Sequence, residues 1–356
     1  MPHRYSFHQI VAIAITIIFI CLLAQCTPKT TTDPTSSKAS VPNGHITEQD
    51  NAPQEVWIDA DLAVGMTNYG SPGYSDVDDG YAILQLLHHP AIHITGISSV
   101  YGNTRIDDSY RLCQEMVATF GNYEIPVFKG AGEPINLRSL TSNDGVEAMA
   151  RSLMIKPQKI LAIGPATNVG ILLLQYPELR DSIQEVILVA GRRTERDFFA
   201  IGNGDTRFRD LNFDLDNTAF QVLLESGVPI ALCPFEISSK VWLKAQDLDT
   251  LSKGTAGSQW LANKSRPWLA QWYDMGADGF NPFDVLASHY LIRPQDIISE
   301  TLNARLVIHS DDTVGEDQQE VFKNYLLCTE EDGYPVTYCY DVVPNFHNNL
   351  ISTFVK

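Results

Sequence analysis

Apolar runs and amphipathic segments alternate along the chain from residue 55 onward. Short runs that are nearly continuous in apolar residues, as buried parallel strands are, comprise "VWIDAD", "HITGISSV", "IPVF", "KILAIG", "EVILVAG" and "PIALCPF". Apolar residues at three- and four-residue spacing predict helices in "DDGYAILQLLHH", "SYRLCQEMVATF", "ATNVGILLLQYPEL" and "NTAFQVLLESG". This alternation predicts an α/β fold with a mostly parallel sheet flanked by helices. Residues 303–348 are more strand-like and predict an added edge or a β hairpin near the C-terminus.

The first 26 residues follow a different pattern. Arg4 precedes the unbroken apolar run "IVAIAITIIFICLLA", and Cys26 follows it, which is the layout of an export signal. The run is short for a membrane span. The sequence "LLAQC" resembles a bacterial lipobox, in which the cysteine is lipidated, although Gln25 occupies a position where a small residue is usual. We expect an exported bacterial lipoprotein, with an ordinary cleaved signal or an uncleaved anchor as the alternatives.

The segment from Thr27 to Gln54 separates this signal from the alternating pattern. It is rich in Thr, Ser, Pro and Asn and contains no aromatic residue. Such a composition buries too little apolar surface to fold and predicts a disordered tether. The sequence therefore predicts three segments, which are a signal over 1–26, a tether over 27–54 and one folded domain over 55–356. The tether would hold that domain in the periplasm or at the cell surface.

The net charge of the chain limits the classes of molecule that it is expected to bind. The 356 residues include 43 acidic and 25 basic side chains, for a formal net charge of -18. This excess argues against binding to a nucleic-acid backbone and against docking on anionic lipid headgroups. We expect a small neutral or cationic ligand, no nucleic acid, and membrane contact through the lipid anchor only.

Four cysteines lie beyond the signal, and they lack the spacing of a zinc site. Cys328 and Cys339 flank "TEEDGYPVTY", in which Asp-Gly predicts a hairpin turn. In an oxidising compartment this pair predicts either a cross-strand disulfide or two unpaired buried thiols.

The turn after the first predicted strand concentrates negative charge. Five aspartates occur within 21 residues, at Asp59, Asp61, Asp76, Asp78 and Asp79. Clustered carboxylates repel one another unless a cation compensates them, and an all-oxygen set favours Ca²⁺ or Mg²⁺. The alternative is that Asp78 caps the next helix and Asp79 lies in its first turn, which explains two aspartates but not five.

Several segments in a fixed order resemble the calcium-dependent nucleoside hydrolases of the inosine-uridine-preferring type. They are "IDAD", "VDDGYAIL", "VYGN", "IPVFKGAGEPI", "LAIGPATNVGILLLQYPEL", "VILVAG", "DLNFDLDNTAFQVLLESGVPI" and "DVLASHYLI", within residues 55–295. The resemblance implies a Rossmann-like, nucleoside hydrolase-like sheet. It also implies hydrolysis of the N-glycosidic bond of ribonucleosides or related N-ribosides, giving free base and ribose. This family often forms dimers or tetramers, so the resemblance implies a homo-oligomer.

The same resemblance implies a set of site residues. It assigns Asp61, Asp79 and Asp284 as carboxylate ligands of Ca²⁺, with the backbone carbonyl of Thr167 as a further ligand. Asp61 would also act as general base toward the attacking water. These assignments suit a cation that accepts six to eight oxygens and leaves positions for water and ribose hydroxyls.

Further positions match residues that contact the sugar in this family. Asp78 and Asn103 would line the ribose and the metal, and Asn203, Asp210 and Asn212 would hold the sugar and its 5′-hydroxyl. A helix cap is the alternative for Asp78, and ordinary turn residues are the alternative for Asn103 and Asn203. Asn212 stands in what we expect to be the otherwise apolar start of a strand, where packing does not explain an amide.

Two features depart from the family pattern. A long insertion, "LAVGMTNYGSPGYSDV", separates the two acidic elements, and it predicts a lid in which Tyr69 and Tyr74 cover a base. Phe283 occupies the position of the histidine that is associated with protonating the base. His289 lies more than one helical turn beyond Asp284, so we expect its ring to point elsewhere.

Four aromatic residues closely precede Phe283, and they are Trp260, Trp268, Trp272 and Tyr273. They predict either stacking on a base or core packing. Two functions of different class remain open at this stage. One is an exported N-ribosyl hydrolase, and the other is a catalytically inactive, Ca²⁺-dependent riboside-binding lipoprotein.

Overall fold

The computed structural model describes residues 52–68, 72–197, 199–201, 206–314 and 319–355. The strands, in chain order, are β1 (Gln54–Ala60), β2 (Ile92–Ser99), β3 (Val127–Lys129), β4 (Gln158–Ala162), β5 (Ile183–Leu188), β6 (Phe199–Ile201), β7 (Thr206–Phe208), β8 (Ile230–Leu232), β9 (Ile297–Ser310), β10 (Phe322–Thr329) and β11 (Tyr334–Val342). The predicted signal, the predicted tether, Tyr69 and Asn203 lie outside the described residues, so what was expected of them stays a prediction.

The helices alternate with these strands over most of the chain. They are α1 (Asp78–Leu87), α2 (Ile106–Phe120), α3 (Asp144–Ile155), α4 (Thr167–Gln175), α5 (Leu211–Leu215), α6 (Asn217–Ser226), α7 (Phe235–Ser238), α8 (Ala245–Leu251), α9 (Ala256–Asp274), α10 (Phe283–Ile292) and α11 (Phe346–Val355). Two short 3₁₀ helices, Pro177–Ser182 and Pro294–Asp296, precede β5 and β9. Within the described part of the chain, no helix has the length and apolar character needed to cross a membrane.

The central sheet has nine strands in the order β10-β9-β11-β8-β5-β4-β1-β2-β3. From β3 to β11 every neighbouring pair is parallel, whereas β9 is antiparallel to both β10 and β11. The prediction of a mostly parallel α/β sheet is therefore confirmed. The chain runs outward in one direction after β1 and in the other after β4, so the switch point of the topology lies between these strands. In such sheets ligands bind beyond the carboxyl ends of the strands at this point.

Alternate side chains of β1 supply the cores on both faces of the sheet. Val56, Ile58 and Ala60 pack into one buried cluster with α1, α2 and α10. Trp57 points the other way, into a second buried cluster that includes residues of α3, α4 and α6. Because successive residues of a strand face opposite sides, a strand covered on both sides must be apolar almost throughout. This requirement explains why the buried carboxylates Asp59 and Asp61 appear only where β1 ends.

The C-terminal strands confirm the predicted antiparallel addition but correct its connection. We expected the Asp-Gly turn at 332–333 to join paired strands, yet β10 and β11 each pair with β9, which lies between them. Cys328 is opposite Ala304 and Cys339 is opposite Ser299, so the two cysteines lie on strands that do not touch. All four described cysteines are free and buried, which confirms the alternative of unpaired thiols.

These added strands also contact the loop after β5. The backbone N–H of Arg192 donates to the carbonyl of Leu326, and the N–H of Cys328 donates to the carbonyl of Arg192. The Arg192 side chain is 3% exposed, and its Nη1 lies 2.8 Å from Oδ2 of Asp312, in the loop after β9. Its guanidinium also stacks on Tyr325 of β10, at 5.0 Å from the ring centroid. The C-terminal strands are thus bonded to the carboxyl edge of the parallel sheet.

Candidate active site

The acidic residues of the sequence motif converge at the switch point. Asp61 follows β1, Asp78 and Asp79 begin α1, and Asp284 lies in the first turn of α10. Carboxylate oxygens of Asp78, Asp79 and Asp284 lie within 4.8 Å of one another. Asp61 stands outside this group of three but close enough to repel Asp79 and Asp284. All four side chains are at most 3% exposed.

Burial and mutual repulsion disfavour the charged forms of this cluster. The pKa of Asp61 is raised to about 8, chiefly by burial and also by the neighbouring Asp78 and Asp59, while the backbone hydrogen bond from Asn103 opposes the rise. Burial, followed by repulsion from neighbouring carboxylates, raises the pKa of Asp79 and Asp284 well above the ordinary value. No basic side chain is among the causes of these shifts. A bound cation would reverse the shifts by favouring the ionised carboxylates.

The hydrogen bonds of the cluster leave several oxygens without a partner. These are Oδ1 of Asp61, both carboxylate oxygens of Asp79 and Oδ2 of Asp284, all of them buried. The Asn103 amide is near enough to Asp79 to lower its pKa, but neither Asp79 oxygen has a partner at normal hydrogen-bond distance. Buried polar atoms are rarely left unsatisfied in native proteins. An oxygen-only set with free lone pairs fits a hard divalent cation.

Asp61 is held in place by the loop after β2. The backbone N–H of Asn103 donates to Oδ2 of Asp61 at 2.6 Å. A Cβ atom on Gly102 would collide with this carboxylate, and one on Gly164 would approach its Oδ1 to 3.0 Å. Glycine at both positions therefore lets backbone from two loops close around Asp61, as the "VYGN" and "IGPATN" motifs require.

Asp59 plays a different part from Asp61. Its Oδ1 accepts hydrogen bonds from Ser98 at 2.5 Å and from Asn168 at 2.8 Å. Asn168 also donates to the carbonyl of Ser99 at 3.0 Å. The side chain of Asp59 thus ties β1 to β2 and α4 beneath the acidic cluster. Thr167, which the family resemblance assigns as a carbonyl ligand, begins α4, and its hydroxyl donates to Asp216 at 2.7 Å.

A cavity of about 270 Å³ opens beside the cluster. Its polar wall includes every described residue that the resemblance assigns to the sugar, namely Asp78, Asn103, Asp210 and Asn212. Asp284 and Phe283 also line it. The structure therefore brings these predicted residues together at one cavity, while Asn203 lies outside the described residues.

Asn212 lies in a different element from the one expected. It is in the one-turn helix α5 rather than at the start of a strand. Its amide nitrogen donates to the carbonyl oxygens of Ile163 at 3.2 Å and Val189 at 3.1 Å, at the ends of β4 and β5. The nearby Asp210 accepts from the N–H of Gly191 at 2.7 Å, and burial raises its pKa to about 6. These bonds fix both side chains against the carboxyl edge of the sheet.

Aromatic side chains form much of the remaining lining of the cavity, and we call them the aromatic wall. It consists of Phe199, Phe208, Phe235, Trp268, Trp272 and Phe283, with Met275 beside them. Of the four aromatic residues noted before Phe283, Trp268 and Trp272 line the cavity, whereas Trp260 packs on Phe120 and Tyr273 is 45% exposed. Sequence reasoning missed Phe199, Phe208 and Phe235, because an aromatic residue in an apolar segment looks the same in a core as in a pocket.

The insertion between β1 and α1 forms part of the cavity wall. Asn68, Tyr74, Ser75 and Asp76 from this segment line the cavity. The side chain of Gln271 on α9 holds it, since Oε1 accepts from the N–H of Tyr74 at 2.5 Å and Nε2 donates to its carbonyl at 3.1 Å. This placement is consistent with the prediction that Tyr74 covers a base. Movement of the segment as a lid stays a prediction.

His289 is excluded as a donor to this cavity. Its ring is fully buried, with Nδ1 at 3.1 Å from Gln85 and Nε2 at 3.0 Å from Asp296. Burial lowers its pKa despite the neighbouring carboxylate. The expectation that the ring points away from the site is confirmed.

This fold and site define a class of protein, namely an α/β protein whose buried carboxylates lie beside a cavity of about 270 Å³ at the topological switch point. The chain belongs to the inosine-uridine preferring nucleoside hydrolase family, whose model matches residues 56–333. The family acts on N-glycosyl bonds, so the protein is a hydrolase of that class. Members of this family depend on a metal ion, and the acidic cluster fits one.

The named relatives differ in the substrate specificity that their names give. The chain is 28% identical over 204 residues to a pyrimidine-specific ribonucleoside hydrolase, RihA, of Citrobacter koseri, covering 50% of this chain and 62% of that protein. It is 24% identical over 273 residues to an uncharacterized protein of Schizosaccharomyces pombe, covering 67% of this chain and 84% of that protein. A purine-preferring ribonucleoside hydrolase from Gardnerella vaginalis has the same fold, with a TM-score of 0.66 at 19% identity, over 85% of this chain and 98% of that one.

Proposed function

We propose that the protein hydrolyses the N-glycosidic bond of ribonucleosides or related N-ribosides in a Ca²⁺-dependent reaction, giving free base and ribose. One observation carries this proposal. Buried carboxylate oxygens without partners lie beside a cavity that is lined by sugar-type polar groups and by aromatic rings. A riboside presents the same two halves, a polyhydroxylated ring and a flat base. Family membership supports this pairing of site and substrate.

The donor set supports calcium as the metal. Asp61, Asp79 and Asp284 would hold it, together with the backbone carbonyl of Thr167, because hard oxygen ligands are what this cation prefers. When bound, the metal supplies a water of lowered pKa and a fixed anchor for ribose hydroxyls.

The residues of the chain supply the remaining chemistry. Asp61 has one oxygen fixed by Asn103, so its unpartnered Oδ1 is available to take a proton from water as general base. Asp78, Asp210 and Asn212 are suited to bind sugar hydroxyls, since each is buried and restrained by the fold. The carboxylates also stabilise the positive charge that develops on the sugar ring as the glycosidic bond breaks.

The leaving group lacks the expected donor, because Phe283 cannot protonate a base. Loss of a general acid typically costs 10²- to 10⁴-fold in rate, and good leaving groups suffer least. We therefore expect p-nitrophenyl riboside to be cleaved roughly 10²- to 10⁴-fold faster than inosine or uridine. Turnover of the three substrates by the Ca²⁺-loaded protein is the measurement, with Phe283→His as the matched variant. This substitution should raise turnover of inosine more than that of the aryl riboside.

Two results would count against these expectations. Equal rates on all three substrates, with no gain from Phe283→His, would reveal a proton donor elsewhere. Absence of reducing-sugar release from every riboside, with retained riboside binding, would favour the alternative of a catalytically inactive binding lipoprotein. The same substrate panel would identify the base preference, on which the pyrimidine-specific and purine-preferring relatives disagree.

We also propose that residues 1–26 direct export and that Cys26 is lipidated, with residues 27–54 as a tether to the domain. The apolar run and the "LLAQC" sequence support this proposal. Cys26→Ser is expected to block maturation, because the lipidated cysteine is the residue at which the mature protein would begin and acyl chains would supply the anchoring. Mass spectrometry of the mature amino terminus checks the outcome, and an unmodified terminus at another residue would contradict it. Assembly into a homo-oligomer remains a prediction from the family resemblance.

A further inference from the structure

The aromatic wall is a continuous chain of touching rings. Ring centroids are 4.6 Å apart for Phe199 and Phe235, 6.0 Å for Phe235 and Phe283, and 6.2 Å for Phe283 and Trp272. Trp268 continues the wall at 6.1 Å from Trp272. Aromatic faces carry partial negative charge and attract cations, most strongly when water is excluded. The Arg192 guanidinium already uses this property, since it lies 4.7 Å from the centroid of Phe199.

The charged groups around the cavity are mostly acidic. Asp76, Asp78, Asp210 and Asp284 line it, and among the described lining residues Arg209 is the one basic side chain, which is exposed. Asp76 belongs to the insertion, and its Oδ1 accepts from the N–H of Val77 at 2.6 Å and from that of Asp78 at 3.3 Å. These bonds direct its carboxyl toward the acidic cluster. A divalent metal offsets two negative charges of this group, so the cavity retains a negative field.

The base side of the cavity offers no acid at the family position, because Phe283 replaces the histidine. A neutral base leaves as an anion unless it is protonated. Release of an anion is costly against an apolar, acidic surface. A base that is already cationic leaves as a neutral molecule and needs no proton. The same surface that opposes an anionic leaving group thus favours a cationic substrate.

We propose that the substrates are ribosides whose base is a cationic aromatic ring, such as N-ribosyl pyridinium compounds or purines alkylated on a ring nitrogen. This inference rests on the proposed riboside hydrolysis and names its substrate class. The cationic ring lies against Phe283 and Trp268, which are the partly exposed members of this end of the aromatic wall, and the ribose faces the carboxylates. Asp76 strengthens the selection by adding a half-buried carboxylate that belongs to the insertion.

The bond changes balance without a further reactant. The oxygen of water bonds to the anomeric carbon while the carbon–nitrogen bond breaks. Both electrons of that bond go to the ring nitrogen, which becomes neutral. One water proton remains on the new sugar hydroxyl, and the other passes to Asp61 and then to solvent. Each cleavage therefore releases one proton, whereas cleavage of inosine releases none.

The kinetic test compares pairs of ribosides in which one leaving group is cationic and the other is neutral. 7-Methylguanosine in its cationic form and guanosine form one pair, and nicotinamide riboside and p-nitrophenyl riboside compare a cationic with a neutral good leaving group. We expect kcat/KM to be at least about tenfold higher for the cationic member of each pair, which is within the range of a desolvated cation–π contact. Proton release in weakly buffered solution, at one per riboside, should accompany nicotinamide riboside cleavage.

Two variants separate the roles of charge and packing. Asp76→Asn is expected to lower the cationic-to-neutral ratio of kcat/KM about tenfold, because it removes one negative charge at constant shape. Asp107→Asn is the matched control, since its carboxylate is 80% exposed and pairs with Lys129 on the surface. The control should leave the ratio unchanged.

A binding measurement gives a readout independent of turnover. Cationic 1-methylnicotinamide should quench tryptophan fluorescence at concentrations at least about tenfold below those of neutral nicotinamide, with and without Ca²⁺. Trp268→Phe should remove most of this quenching, because Trp268 is the partly exposed tryptophan among the described lining residues, whereas Trp260→Phe, outside the cavity, should preserve it.

The outcomes distinguish this inference from the proposed function. Equal kcat/KM on guanosine and 7-methylguanosine, with p-nitrophenyl riboside cleaved, would overturn the inference and leave riboside hydrolysis standing. Equal affinity for 1-methylnicotinamide and nicotinamide would overturn it as well. Failure to cleave any riboside, cationic or neutral, would overturn both.

Discussion

Replacing Asp79 with alanine is expected to abolish Ca²⁺ binding. Both oxygens of Asp79 are buried without a hydrogen-bond partner, and its neighbours are other carboxylates. In the wild type, a ligand at a hundred times its Kd raises the free energy of unfolding by about 2.7 kcal/mol, and the variant should lose this gain. Calorimetric titration with Ca²⁺ and thermal unfolding in Ca²⁺ or chelator are the measurements.

The control for this experiment is Asp107→Ala. Asp107 lies in the first turn of α2, and its carboxylate is largely exposed. Its substitution should therefore leave the calorimetric isotherm unchanged. If the Asp79→Ala protein bound Ca²⁺ as tightly as the wild type, the assignment of the metal site would be wrong.

The stabilisation of the protein by Ca²⁺ is expected to depend on pH, because the carboxylates of the same cluster must be ionised to bind it. Burial is the largest cause that raises the pKa of Asp61 from 3.8 to about 8 and that of Asp59 from 3.8 to about 7. At pH values between 3.8 and about 8, the metal-free folded protein holds more protons than the unfolded chain, so its free energy of unfolding falls as pH rises. Metal binding requires ionised carboxylates and strengthens over the same range. The gap in Tm between Ca²⁺ and chelator should therefore widen from about pH 5 to about pH 8.

Asp61→Asn is expected to lower kcat by roughly 10²- to 10⁴-fold at saturating Ca²⁺, because the amide cannot accept the proton of the attacking water. The substitution preserves shape and one oxygen acceptor for the N–H of Asn103. Steady-state rates on p-nitrophenyl riboside are the measurement, since that substrate depends least on acid assistance. Calorimetry at the same Ca²⁺ concentrations separates lost chemistry from lost metal.

Asp59→Asn is the matched control for this prediction. Asp59 is equally buried and two residues away, but its Oδ1 bonds to Ser98 and Asn168, whereas Oδ1 of Asp61 has no partner. We expect its kcat to fall less than about tenfold, since it positions β1 rather than touching the substrate. A kcat for Asp61→Asn that stayed within the same range as this control would exclude Asp61 as the general base.

The sequence predicts the parts of this site that depend on local pattern. An apolar strand followed by carboxylates, and a helix that begins with Asp78 and Asp79, place the cluster at the edge of a parallel sheet. The order of the motifs then predicts that Asp210 and Asn212 reach the same edge, although Asn212 lies in a short helix. A one-turn helix has too few residues to show helical spacing, so its sequence cannot be told from the start of a strand.

Features that depend on long-range pairing were not predictable in the same way. The Asp-Gly turn indicated a hairpin between its flanking strands, but β9 occupies the position between them. Which strand pairs with which is decided by burial across the sheet, and the turn residues report only that the chain reverses. The aromatic wall was not predictable for the same reason. Phe199, Phe235 and Phe283 come from separate elements and meet only in the folded chain.

The bond between Arg192 and Asp312 sets a lower limit on the length of a working enzyme. All of the proposed metal ligands precede residue 295, so a version of the protein shortened there would keep every one of them. It would also expose the edge of β8, the strand that pairs with β11 in the full protein. The buried Arg192 guanidinium would lose its carboxylate partner, and such a loss typically costs 3–5 kcal/mol. That amount is a large fraction of the stability of an ordinary domain. Deletion from the C-terminus should therefore inactivate the protein by unfolding it long before any site residue is removed.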